Sequence, residues 1–328
     1  MVRLVVLALV VGCGTEISVV GEPSEGDHES VEFRYTWVDE WEQVTVFASD
    51  VLFVVDHSCS MAHEQRALGD SFDVFFERML ASGNDFHIGV VSMDMDDPSH
   101  SGRLRDSGPY RWIDEETEAP LDHFRSMVNL GTGGSFTEKG RSATFAALDT
   151  LSETYNQGFL RQPAELHIVV VTDENDVSGN QLMTRGEFSE YLVDLKLDPF
   201  RTTFSSVVGL LDEPAPGSFE CIAEHGSEYL AITDIVGGLK LSICAEEWGS
   251  VLGKLGLLAS GLRTEFYLTQ KPRDGTLQVE VEQDGVVLDP EAEGIHWTYT
   301  LHENKITFVD YLPPEGVIVR AEYRPARN

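Results

Sequence analysis

The stretch "VLFVVDHSCSM" runs from an unbroken apolar segment, Val51 to Val55, into Asp56, Ser58 and Ser60, three small oxygen-bearing side chains at alternate positions. Asp173 follows another apolar run in "LHIVVVTDENDVS". Between the two, a Gly-rich stretch, "GTGGSFTEKG", offers Thr132 and Thr137. Carboxylate and hydroxyl oxygens, with no His and no obligatory thiolate among them, are the ligand set of a hard divalent ion such as Mg2+, or of Mn2+ or Ca2+ in its place. Hydroxyls are neutral ligands, so the ion keeps much of its positive charge. It then retains waters or accepts a carboxylate from a partner.

The same residues suggest other chemistry. Cys59 stands between the two serines, and a thiolate with His57 and His63 nearby would draw zinc or copper, but no Cys-x-x-Cys or spaced His pair supports that. Asp56, His57 and Ser58 have the composition of a hydrolase triad. Sequence neighbours rarely meet in the geometry a nucleophile, base and orienter require. No Gly-x-Ser-x-Gly elbow, His-Glu-x-x-His pair, phosphate loop or dinucleotide fingerprint occurs. The chain is therefore expected not to be an enzyme. Asp94, Asp96 and Asp97 in "SMDMDDPSHSG" read as the rim of the ion site or as an acidic solvated loop.

Apolar strands alternating with amphipathic helices must position these loops. Val51–Val55, Phe86–Asp94 and Leu166–Thr172 read as strands; "EQRALGDSFDVFFERML", "EKGRSATFAALDTLSETY" and "TRGEFSEYLVDLK" read as helices. The alternation implies an α/β fold with a mainly parallel sheet covered on both faces. Ligands of such sheets bind beyond the carboxyl ends of the strands, where the strand order reverses. A last helix is expected within Ala245–Leu262. After it the period changes to two in "TLQVEVEQDGVVL", "HWTYTLHENKITF" and "VIVRAEYRP", giving a small all-β module whose Trp297, Tyr299, Phe308 and Tyr323 are assigned to packing.

The oxygen set resembles the metal-ion-dependent adhesion site (MIDAS) of von Willebrand factor type A domains: Asp-x-Ser-x-Ser, then a Thr, then an Asp. Asp56, Ser58 and Ser60 match the first element and Asp173 the last. Thr137, just before a helix, is taken as the threonine, with Thr132 as the alternative. The resemblance implies direct coordination by the serines and the threonine, aspartates that bind directly or through water, and a doubly wound sheet over residues 50–262. Two departures stand out. Cys59 fills a place where the family commonly has Gly, and Glu174 and Asp176 follow Asp173 where a Gly is common, as acids that would tighten cation binding or hold a second ion. "VVDHSCSM", "FHIGVVSMDMDDPSHSGRLR", "VVVTDENDVS" and "YLAITDIVGGLKLSIC" resemble an exported subgroup of these domains found in bacterial lipoproteins.

The N-terminus agrees with export. "MVRLVVLALVVGCG" places one Arg before an apolar run too short to span a bilayer, and "VVGCG" resembles a bacterial lipobox cut before Cys13. This implies a lipid anchor on Cys13, with the outer membrane favoured because Gly14 is not Asp. Residues 1–12 are expected as signal and 13–49 as a polar tether ending in "VEFRYTWVDEWEQVT", an extended lead-in packed on the first domain. Residues 50–262 form that domain, and 263–328 the β module. In an exported chain Cys221 and Cys244 read as a disulfide, against two free thiols or a pairing that uses Cys59. A formal net charge of -33 excludes nucleic acid as a partner. Cation-dependent protein binding is expected, a partner's Asp or Glu carboxylate completing the ion's shell. The alternatives are a structural envelope lipoprotein and a hydrolase using Ser58 and His57.

Overall fold

The computed structural model describes residues 18–19, 35–43, 48–135, 137–179, 183–196, 201–211, 223–288, 296–309, 311 and 313–326. In chain order these residues form β1 (Ser18–Val19), β2 (Tyr35–Glu42), β3 (Ala48–Val55), α1 (Ala62–Asp70), α2 (Phe72–Ala81), β4 (Asp85–Ser92), α3 (Pro120–Val128) and α4 (Gly140–Phe145). A π-helical turn, Ala146–Thr150, continues α4. Then follow β5 (Glu165–Val171), α5 (Arg185–Asp194), β6 (Thr202–Val208), α6 (Ser227–Val236), β7 (Lys240–Ser242), α7 (Trp248–Ser260), β8 (Glu265–Tyr267), β9 (Gln278–Gln283), β10 (Val286–Leu288), β11 (His296–Thr300), β12 (Lys305–Val309) and β13 (Ile318–Tyr323). They divide into two units, one spanning residues 45–261 and the other drawing on both ends of the chain, 1–44 and 262–328.

The first unit is the expected α/β fold. Its sheet runs β4-β3-β5-β6-β7 with every pairing parallel. The side chains of β3 alternate between two cores: Val51, Phe53 and Val55 join α1, α2, α3 and α7, while Leu52 and Val54 join α4, α5 and α6. A strand buried on both faces must be apolar throughout, which is why Val51–Val55 carries no polar residue. The order reverses at β3, which pairs with β4 on one side and β5 on the other, so the loops after β3 and β5 meet at the switch point.

Several helices differ from expectation. The first is two helices, because Ser71 leaves helical geometry (φ -100°, ψ 6°) after the poor helix formers Gly69 and Asp70. The break lets Phe72 stack on Phe124 of α3, ring centroids 3.5 Å apart. The second expected helix is regular only over α4. In the π turn Leu151 N donates to Ala146 O (2.9 Å), and Asn156 Nδ2 donates to Ala147 O (3.0 Å). The last helix starts at Trp248 and stops at Gly261, whose φ of +69° supplies the left-handed cap.

In the second unit, sheets β1-β2-β13-β9-β10 and β11-β12-β8 are antiparallel and share a core that includes Phe308 and Tyr323, with Trp297 and Tyr299 packed against it. The lead-in is corrected here. β2 pairs with β13 from Trp37↔Tyr323 to Glu42↔Ile318 and falls in the same unit as the β module, which it completes from the other end of the chain. Asp39 is buried and accepts hydrogen bonds from Tyr323 Oη (2.7 Å), Thr269 N (2.9 Å) and Thr269 Oγ1 (2.7 Å), tying β2 into that unit. Cys244 is disulfide-bonded. The half-cystine expected opposite it, Cys221, lies outside the described residues, as do the signal segment and Cys13. No helix among the described residues is long and apolar enough to cross a membrane.

Candidate metal centre

Asp56 leaves β3 with its backbone N–H donating to Val171 O at the end of β5 (3.0 Å), so the switch point fixes its position. Its side chain is wholly buried. One carboxylate oxygen accepts from Ser58 N (2.6 Å) and the other from Thr172 Oγ1 (2.7 Å). That Asx turn folds the loop back, and Met61 N donates to Ser58 O (3.3 Å) to lead into α1. Ser58 Oγ and Ser60 Oγ end 3.0 Å apart. Ser60 hydrogen-bonds Asp173, which is itself buried and has Oδ1 without a partner. Four of the five expected ligands, Asp56, Ser58, Ser60 and Asp173, are thus brought together.

Thr137 is not with them. It is exposed, and its hydroxyl donates to Asp96 Oδ2 (3.1 Å) and lies 2.7 Å from Ser135 Oγ. Thr132 is exposed as well. Asp96 gathers Lys139 Nζ (2.7 Å), Ser135 Oγ (2.8 Å) and Thr137 Oγ1 around its carboxylate, and these partners hold it down at about 2. The residue that enters the site from this loop is the next one, Glu138, only 1% exposed. Its carboxyl group is hydrogen-bonded to Asp56, and its Oε1 has no hydrogen-bond partner. Burial, then the charge of Asp56, pushes it up to about 9. Asp173 is pushed up to about 6, chiefly by burial.

The acidic loop after β4 is architecture. Asp94 accepts from Asp96 N (2.7 Å), Asp97 N (3.0 Å) and Ser135 N (3.1 Å), closing its own turn and pinning the Gly-rich loop. Asp176, expected to aid cation binding, instead accepts from Arg141 Nε (2.7 Å) and Arg141 N (3.1 Å) and is spent on that buried ion pair. Gln65 of α1 clamps two loops, donating to Asp56 O and Gly131 O, both at 3.0 Å.

His57 turns away from Ser58. Its Nδ1 lies 2.8 Å from Ser92 Oγ, its Nε2 3.7 Å from Asp94 Oδ2, and its ring stacks on His100 with centroids 4.7 Å apart. Burial lowers the pKa of both rings. A nucleophile and base must touch, and the Ser58 hydroxyl meets Ser60 instead. Cys59 is a free, exposed thiol.

Hydroxyls and carboxylates with unpartnered buried oxygens fit a hard cation, since buried acceptors ordinarily find donors and these have none. Asp173 Oδ1, Glu138 Oε1 and Glu64 Oε2 are such atoms. Among the described residues, no three His, Cys, Asp or Glu side chains already stand as a metal-ligand group. A cation here would therefore draw on the Ser58 and Ser60 hydroxyls, or pull the carboxylates closer.

Glu138, Thr172 and Gln65 were missed in the sequence. The available signal was an acid in the loop that the motif assigns to a threonine.

Neither a family model nor a curated protein matches the chain. Among solved structures it is similar to a von Willebrand factor type A protein from Catenulispora acidiphila, with 12% identity and a TM-score of 0.42 over 90% of this chain and 61% of that one. It is also similar to the pilus adhesin SpaC from Lactobacillus rhamnosus GG, with 10% identity and a TM-score of 0.45 over 95% and 43%. A third is the proximal thread matrix protein 1 of the mussel byssus, with 10% identity and a TM-score of 0.42 over 70% and 51%. The chain spans less than two thirds of each of these proteins.

Proposed function

We propose that this is an exported, lipid-anchored binding protein and not an enzyme. A hard divalent ion, Mg2+ or Mn2+ or Ca2+, would sit at Asp56, Ser58, Ser60 and Asp173. There it would take an Asp or Glu carboxylate from a protein partner as a further ligand. The observation that carries the reading is Asp173 Oδ1, buried and unpartnered beside Ser60 at the switch point of the sheet. The acidic surface, with its formal charge of -33, would repel acidic partners that lack a basic rim. The anchor on Cys13, the Cys221–Cys244 disulfide and an outer-membrane location belong to the same proposal.

A second reading is a structural envelope lipoprotein whose ion only holds the loops. It is favoured by the depth of Asp56 and Glu138, which are interior rather than presented. Calorimetric titration of Mg2+, Mn2+, Ca2+ and Zn2+ into the full chain in detergent, beside Ser60→Ala, tests both. Hard-ion binding lost in Ser60→Ala supports the site, and zinc binding alone removes it. If chelation abolishes capture of an immobilised acidic peptide while the fold persists, binding is the function; if chelation unfolds the unit, the ion is structural.

A further inference from the structure

We propose that Glu138 is itself a ligand of the cation, a carboxylate in the place the motif gives to a threonine, and that it makes the site prefer Ca2+ to Mg2+. The inference rests on the cation reading above and goes beyond it by naming a ligand and an ion.

Three placements carry it. The threonines are committed elsewhere: Thr137 to Asp96 and Ser135 on the surface, Thr132 to an exposed position. Glu138 is held where a ligand must be. Its C=O accepts from Val177 N (2.8 Å) of the loop after β5, and the next residue, Lys139, donates its N–H to Met93 O (3.4 Å) after β4. The backbone is thereby fastened on both sides of the switch point, and the side chain reaches Asp56. Finally, Glu138 Oε1 and Asp173 Oδ1 are both buried without partners. The basic side chains nearest in sequence do not answer them: Lys139 pairs with Asp96 and Arg141 with Asp176.

A buried acid with an unpartnered oxygen costs free energy and calls for a reason. A cation between Asp56, Glu138 and Asp173 supplies one. The ion choice follows from size and charge. Ca2+ accepts about six to eight oxygens in flexible geometry and takes Glu as a bidentate ligand, whereas Mg2+ needs a near-ideal octahedron and keeps its waters. Three carboxylates with the Ser58 and Ser60 hydroxyls offer the first kind of shell.

The test is calorimetric titration of CaCl2 and MgCl2 into the full chain in detergent, with Glu138→Gln, Glu138→Thr and Thr137→Ala, each checked for its fold by circular dichroism in chelator. The wild type should bind Ca2+ at least about tenfold more tightly than Mg2+. Glu138→Gln should lose Ca2+ affinity by about a hundredfold, the upper end of what losing even an orienting partner costs. Glu138→Thr should bring the two ions level, and Thr137→Ala should change neither. Wild-type affinity in Glu138→Gln, loss of binding in Thr137→Ala, or preference of the wild type for Mg2+ overturns the proposal while leaving the cation reading intact. Failure of the wild type to bind either ion overturns both.

Discussion

Glu138 and Asp56 hold two carboxyl groups in hydrogen-bond contact in the interior, at the carboxyl end of β3. Two ionised carboxylates cannot share such a contact, so either a proton or a cation must hold them together.

Stability should therefore depend on pH in the unusual direction when cations are removed. Glu138 is raised from 4.5 to about 9 and Asp173 from 3.8 to about 6 on folding. A carboxyl group with a raised folded value contributes stability that is fully present below its unfolded value and lost as pH climbs through the folded one. In chelator, the thermal midpoint should fall between about pH 5 and pH 9. Glu138→Gln should remove most of that slope, and saturating cation should flatten it in the wild type. A midpoint that rises over this range would contradict the assignment.

Arg141→Ala should be among the most damaging single changes in the first unit. It strands the buried Asp176 carboxylate, and breaking a buried pair costs about 3–5 kcal/mol. Replacing both partners, Arg141→Met with Asp176→Leu, should recover part of the loss. Urea melts of the three proteins measure it.

Two adjacent glycines should behave oppositely. A Cβ at Gly134 would lie 2.2 Å from His57 Nε2, whereas one at Gly133 meets nothing within 4 Å. Gly134→Ala must push His57 off Ser92 and should cost about 1–3 kcal/mol, disturbing the Asp56 loop and weakening cation binding. Gly133→Ala should stay within about 0.5 kcal/mol of the wild type. Melts and cation titrations of the pair separate the two.

The parallel sheet, its switch point and the meeting of Asp56, Ser58, Ser60 and Asp173 beside it were legible because local rules produce them: continuous apolar runs for doubly covered strands, small oxygen-bearing residues just past their ends. Glu138 was not, since nothing in "SFTEKG" says that Thr137 turns out to Asp96 while its neighbour turns in. That choice is made by Lys139 and Ser135 gripping Asp96 from across the loop. The break at Ser71 was masked by a helical apolar period that continues on both sides of it. The partner of β2 was equally hidden, because Trp37 and Tyr323 meet only once both ends of the chain are in place.

That long-range pairing has its own test. A chain lacking residues 1–44 leaves β13 without β2, removes the Asp39 carboxylate from Tyr323 and Thr269, and opens an unpaired edge. Amide exchange along β13 should accelerate sharply in that chain, while β3 and β5, which pair within the first unit, stay protected.

The most direct measurement is a crystal structure of the full chain grown with manganese, read by anomalous scattering. The expected result is one strong peak bounded by Asp56, the Ser58 and Ser60 hydroxyls, and Asp173, with Glu138 turned onto it. A site free of anomalous density at saturating manganese, or a peak on the Asp94–Asp97 loop alone, would contradict the assignment of these residues as a cation centre.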